Sequence, residues 1–204
     1  MKEAQHLDFS LLTEIKTASI FSLLAKDLDS ELQALLFMSE FYYRAQSALM
    51  FFSELDAEKD SWRNEARIRA GLNEFYSLED AVRRSFRNSK QSRSPPAISD
   101  SLHPLIHFMN SLRHINVHVK PSETELADVN FTFHNNDFTF KSVMLVDTVS
   151  NDLLANKDVK KNYCQRDIVK TLDWFFENQR VFGVGEVFRV GIEAYCREVI
   201  ASIN

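Results

Sequence analysis

A chain of 204 residues is the size of one domain, or of one domain with an appendage. Its apolar fraction of 45% is too high for a disordered segment, and no apolar run approaches the ~20 residues of a membrane span. The net charge of −5 sets it apart from general nucleic-acid coat proteins, which carry a clear basic excess.

Seventeen phenylalanines against four glycines and four prolines favour long, regular elements over loops. The opening MKEAQHLDFS lacks the basic-then-apolar pattern of an export signal. Cys164 and Cys196 are too few and too far apart in sequence for a disulfide framework. Together these features predict a soluble cytoplasmic protein without a membrane-spanning segment.

Taken in order, Leu11 to Asp27 reads as a short amphipathic helix. Ser30 is a good N-cap for a long helix from Glu31 to Leu55, in which Phe37, Phe41, Leu49, Phe51 and Phe52 suit a core or a subunit interface alike. Asp60 or Ser61 caps the next helix, Trp62 to about Arg87, whose Trp62, Ile68, Leu72, Phe75, Leu78, Val82 and Phe86 approximate a 3.6-residue repeat. Gly71 inside it costs roughly 1 kcal/mol relative to alanine and permits a close helix crossing. That helix ends in RRSFRNSKQSR, with Arg83, Arg84, Arg87, Lys90 and Arg93 and no acid. Such a run is either a solvated helix end or a phosphate-binding rim, and it matters for function only if it lies beside the next helix. Asn88 to Ser99 is a loop, broken by Pro95 and Pro96.

Leu102 to Pro121, LHPLIHFMNSLRHINVHVKP, is the segment richest in chemistry, with four of the six histidines. At ~100° per residue, His103, His107, His114 and His118 fall within roughly 60° of one another on a helix, with Leu102, Leu105, Met109, Leu112 and Ile115 opposite. His103 precedes Pro104, which puts it at the helix start or outside it. Beyond, Val129–Phe133 and Phe138–Met144 alternate apolar and polar residues around His134-Asn135-Asn136-Asp137, a hairpin signal. A lone hairpin is marginal, so it should pack on a helix or pair with another subunit. Helical pattern resumes only at Gln165, running to about Asn178 and again from Val184 to Ser202, with Gly183 and Gly185 softening the break. The expected architecture is a single, mainly α domain over 1–204, with a helical core at about 31–120 and 165–202 and a β-hairpin insertion at about 129–146.

Several chemistries lack their motifs. There is no glycine-rich phosphate loop, GxGxxG, GxSxG, CxxC or HExxH, so no cofactor is expected. The histidine helix itself admits three readings. Its imidazoles are surface residues of an amphipathic helix; or the i, i+4 pairs His103/His107 and His114/His118 hold a metal, with a third ligand from elsewhere, as in a metal-dependent hydrolase; or the segment performs metal-independent phosphoryl chemistry on RNA. In the third reading imidazoles move protons to and from the 2′-hydroxyl and the leaving oxygen, while Arg113 clamps the phosphate. Arg113 and His118, five residues apart, diverge by about 140° around one helix, so two copies of the helix at a dimer axis would supply complementary groups.

Arg113-His114-Ile115-Asn116-Val117-His118 resembles the R-polar-x3-H motif of the HEPN superfamily, with His114 at the polar position. Arg67 to Arg84, RIRAGLNEFYSLEDAVRR, is similar to an early long helix of such domains. The resemblance implies an up-and-down bundle of four or five helices, dimerising with its motif helices facing each other, to which the hairpin is an addition. Many members are metal-independent endoribonucleases, often toxins restrained by an antitoxin or agents of phage defence; others are non-catalytic binding or assembly modules. Carried over by position, Arg113 would contact the scissile phosphate, His118 would transfer the proton and His114 would orient the site. Glu74, Glu79 or Asp80 would support them, and Arg83, Arg84, Arg87, Lys90 and Arg93 would form a basic rim for RNA.

Overall fold

The computed structural model describes residues 5–15, 30–55, 60–88, 94–118, 123–133, 136–146 and 148–203. Helices dominate them. The α-helices are α1 (Ser39–Ser53), α2 (Ser61–Asn88), α3 (Pro104–His118), α4 (Thr148–Ala155), α5 (Lys157–Asn162), α6 (Gln165–Phe182) and α7 (Val184–Ile203), with 3₁₀ segments at Phe9–Leu11, Ser30–Phe37 and Ile98–Asp100. Strands β1 (Thr124–Phe133) and β2 (Asn136–Leu145) stand between α3 and α4. No described helix is long and apolar enough to cross a membrane.

Helix α3 is the centre of the bundle. It packs against α2 and α7, and also meets α6 and α4, while α1 lies on α2 and α7. Aromatic rings knit these helices together: Phe108 to Phe175 at 4.3 Å between centroids, Phe175 to Phe188 at 5.8 Å and Phe188 to Phe52 at 4.6 Å. Phe41, Leu49 and Phe52 therefore serve the core, whereas Phe37 is 63% exposed. The close crossing expected at Gly71 is present, since a Cβ there would lie 2.6 Å from the Phe52 ring.

The segment read as one helix from Glu31 to Leu55 is divided at Met38, which leaves helical geometry at φ −98°, ψ 65°. Ahead of it the chain winds as a 3₁₀ helix, in which positions i and i+3 eclipse. Leu35 and Met38 thereby turn into the core together and leave Leu36 and Phe37 outside. Of the helix expected at Leu11–Asp27, Leu11 ends a 3₁₀ turn capped by Asp8, residues 12–15 are irregular, and 16–27 lie outside the described residues.

The hairpin is longer than its sequence signal, pairing antiparallel from Thr124↔Leu145 to Phe133↔Asn136. Its base is fastened to α6 by one side chain: the buried Gln179 accepts from the Leu145 N–H at 3.1 Å and donates to the Leu145 carbonyl at 2.9 Å. Between the hairpin and α6, where periodicity offers no signal, stand α4 and α5. Asn156 caps α5 by accepting from the N–H groups of Asp158 and Val159. Helices α6 and α7 are separate, because Gly183 turns the chain at φ +80°, and a Cβ there would collide with Ser142 Oγ.

Candidate functional site

The structure divides the four histidines. His103 caps α3: its Nδ1 accepts the Leu105 N–H at 3.2 Å, while Pro104, with no N–H to satisfy, opens the helix. Burial pushes its pKa down to about 4, and a hydrogen bond with the Leu11 backbone only partly opposes this. His107 is 1% exposed. Its Nε2 donates to the Ser101 carbonyl at 2.6 Å, which leaves Nδ1 to accept from the Tyr163 hydroxyl at 2.8 Å. Burial lowers the pKa of His107 and raises that of Tyr163, whose hydroxyl also interacts with Ser111 and Asn110. Neither imidazole is therefore a surface residue or a ring with nitrogens open to a metal. Both are neutral structural groups, which corrects the reading of one polar, solvent-facing stripe.

What covers them comes from remote parts of the chain. Gln5 pairs in parallel with Tyr163: its N–H donates to the Asn162 carbonyl at 2.9 Å, and its own carbonyl accepts from Cys164 N–H at 3.3 Å. The Gln5 side chain donates to the Ser101 carbonyl at 2.8 Å. The first turns of α3 are thus closed over, and only the later turns of the histidine face reach open space.

That space is a cleft of about 280 Å³. Its lining includes Tyr76 of α2, Ser111, Arg113 and His114 of α3, Asp158 of α5, and Tyr163. Arg113 is held by neutral partners. Its Nε donates to Asn73 Oδ1 at 3.3 Å, and its guanidinium lies 4.2 Å from the centre of the Tyr76 ring. Among the described residues no carboxylate forms an ion pair with it. His114 is half-exposed, with Nε2 3.5 Å from Asp158 Oδ2. His118 ends α3 one turn beyond His114, and its side chain lies outside the described residues.

The acidic supports expected on α2 do not reach this cleft. Glu74 pairs with Arg44 at 3.0 Å, Glu79 accepts from the Ile98 N–H at 3.0 Å and pairs with Arg83, and Asp80 is exposed. Asn73 and Tyr76 are the α2 residues that meet Arg113, and Asp158 is the carboxylate beside His114. The basic rim is also altered. Arg83 is committed to Glu79, and Arg84 binds Glu40 through Nε at 3.0 Å and Nη2 at 2.6 Å, holding the Glu40 carboxyl below its usual range. Arg87 is exposed at the end of α2, and Lys90 and Arg93 lie outside the described residues.

The sequence signal for Asp158 was available in the Asn156 cap, but a six-residue helix is too short to display a period. Asn73 and Tyr76 carry no motif; only the packing of α2 on α3 selects them. No protein-family model, curated protein or solved structure matches the chain.

Proposed function

We propose that this chain is an HEPN-like, metal-independent endoribonuclease of the toxin or phage-defence type, with a composite active site at a homodimer interface. The observation that carries the proposal is the state of Arg113. Arg84 and Arg189 are neutralised by carboxylates, whereas Arg113 is aimed by an amide and an aromatic face and keeps its charge for an external anion. A guanidinium fixed in this way matches two phosphate oxygens with a forked pair of N–H groups. The imidazole of His114 opens onto the same cleft, oriented by Asp158.

In this reading the RNA 2′-hydroxyl attacks the adjacent phosphorus and the 5′-oxygen leaves. Arg113 stabilises the charge gathering on the phosphoryl oxygens. His118 performs proton transfer, His114 orients the site, and a second copy of the chain supplies the complementary imidazole. Because the early turns of α3 are buried, only its Arg113–His118 end can approach a second copy.

The test is RNA cleavage in EDTA together with light scattering of the purified protein. The expected outcome is a dimer of 23.7 kDa chains that cuts RNA without added metal. Arg113→Ala and His118→Ala should each lower the rate by about 100-fold or more with unchanged thermal stability. Intact RNA, or activity surviving either substitution, overturns the assignment. One observation favours the alternative of a non-catalytic assembly module: Leu36, Phe37 and Tyr43 expose apolar surface near the start of α1. That alternative predicts no cleavage at any protein concentration.

A further inference from the structure

Away from the cleft, three donor side chains of different chemistry converge where the N-terminal segment crosses the start of α6. His6 Nδ1 is 3.3 Å from Asp167 Oδ2, and the Cys164 sulfur lies within 4.8 Å of a donor atom on each of them. We propose that His6, Cys164 and Asp167 bind a divalent cation of the zinc class, which clasps the N-terminal segment to α6.

The donor set fits such an ion. Zinc takes sulfur at about 2.3 Å and nitrogen or oxygen at about 2.0 Å, so neighbouring donors in a tetrahedral site stand roughly 3.3–3.5 Å apart. The His6–Asp167 pair already has this spacing, and the sulfur, within 4.8 Å of both, needs to close by no more than about 1.5 Å. Three protein donors leave a fourth position for water. Asp167 is aimed by a further contact, since its Oδ2 accepts the Leu7 N–H at 3.0 Å. Cys164 is aimed by the backbone, its N–H bonded to the Gln5 carbonyl.

The residue type at position 164 gives an independent argument. Cys164 is the N-cap of α6, at φ −64°, ψ 127°, and its side chain makes no capping hydrogen bond. Serine there would satisfy one of the helix's open N–H groups. The thiol serves the helix poorly and a soft cation well. It is also the accessible thiol, because Cys196 is fully buried and its pKa is pushed far up by that burial.

Binding would act on the fold through Gln5, the residue next to His6. Gln5 bridges Tyr163 and reaches the carbonyls of Ser99 and Ser101, so an ion at His6 fixes the strap that closes over His107.

The experiment titrates the purified full-length chain with zinc by calorimetry and with cobalt as a spectroscopic probe. The expected results are one ion per chain, a cobalt–thiolate charge-transfer band, a higher melting temperature with zinc, and suppression by zinc of the native thiol's reaction with an alkylating reagent. Losing a direct ligand should cost at least the roughly tenfold that loss of an outer-shell partner costs, so Cys164→Ser, His6→Gln and Asp167→Asn should each weaken zinc by that factor or more. Cys164→Ser separates metal binding from folding: in EDTA it should melt at or above the wild-type temperature through its better cap, yet lose the cobalt band. Wild-type zinc affinity in Cys164→Ser, absence of the band, or thiol reactivity indifferent to zinc overturns the proposal.

Discussion

Keeping an imidazole inside a protein means keeping it neutral, and the cap and first turn of α3 do this twice within five positions. His103 is held at about 4 and His107 is also lowered, both by burial, so the unfolded chain takes up protons before the folded one as the pH falls. Their contribution is complete above about pH 6.5 and is lost on acidification, for His103 down to about pH 4, at up to about 1.4 kcal/mol per pH unit for each ring. The buried carboxyl of Glu186 and the half-buried one of Glu198, both raised by burial, work in the opposite sense. A variant comparison isolates the imidazole. His103→Asn retains a capping acceptor without titrating, so urea unfolding at pH 7.5, 6 and 5 should show a shallower acid loss than wild type; identical slopes would refute the assignment. The angular position of these histidines was legible from helical geometry. Their burial was not, because the covering groups, Gln5 and Tyr163, stand far away in sequence and carry no periodic signature. The same limit applies to Arg113 and Arg84, which look alike as letters and differ in the partners that reach them, an amide and an aromatic ring for one and a carboxylate for the other.

Elements were legible in proportion to their length. Helix α2 and the two C-terminal helices show enough turns for a period to be read, and they lie where their apolar spacing puts them. Residues 30–37 misled because a broad apolar run is compatible with both α and 3₁₀ winding, and only the burial of Leu35 beside Met38 decides between them. The hairpin was recognisable from its alternation, but its docking depends on a glutamine that has no strand or turn signature. Replacing Gln179 by leucine should leave both polar groups of Leu145 without partners, at about 1–3 kcal/mol for each. Hydrogen exchange should then show the Leu145 amide losing protection ahead of α6, while an unchanged exchange rate would mean that Val143 and Leu145 hold the hairpin by apolar contact alone.

At the scale of the whole molecule, the proposed RNA binding asks an acidic protein to concentrate its positive field, and the ion pairs separate the guanidinium groups that carboxylates already hold from Arg113. Each phosphate neutralised on a single strand contributes about −0.7 to the slope of log affinity against log salt. Arg84→Ala should leave that slope unchanged, because its guanidinium already belongs to Glu40. Arg113→Ala should reduce its magnitude by about 0.7. Equal effects from the two substitutions would return the basic run of α2 to the binding surface. The parallel bridge between Gln5 and Tyr163 adds an order in time. Residue 5 leaves the ribosome well before residue 163 and must wait for it before it has this place to sit. A nascent chain halted before α5 presents Arg113 without the Asp158 and Tyr163 side of the lining, so the cleft is assembled only after α5 has been made.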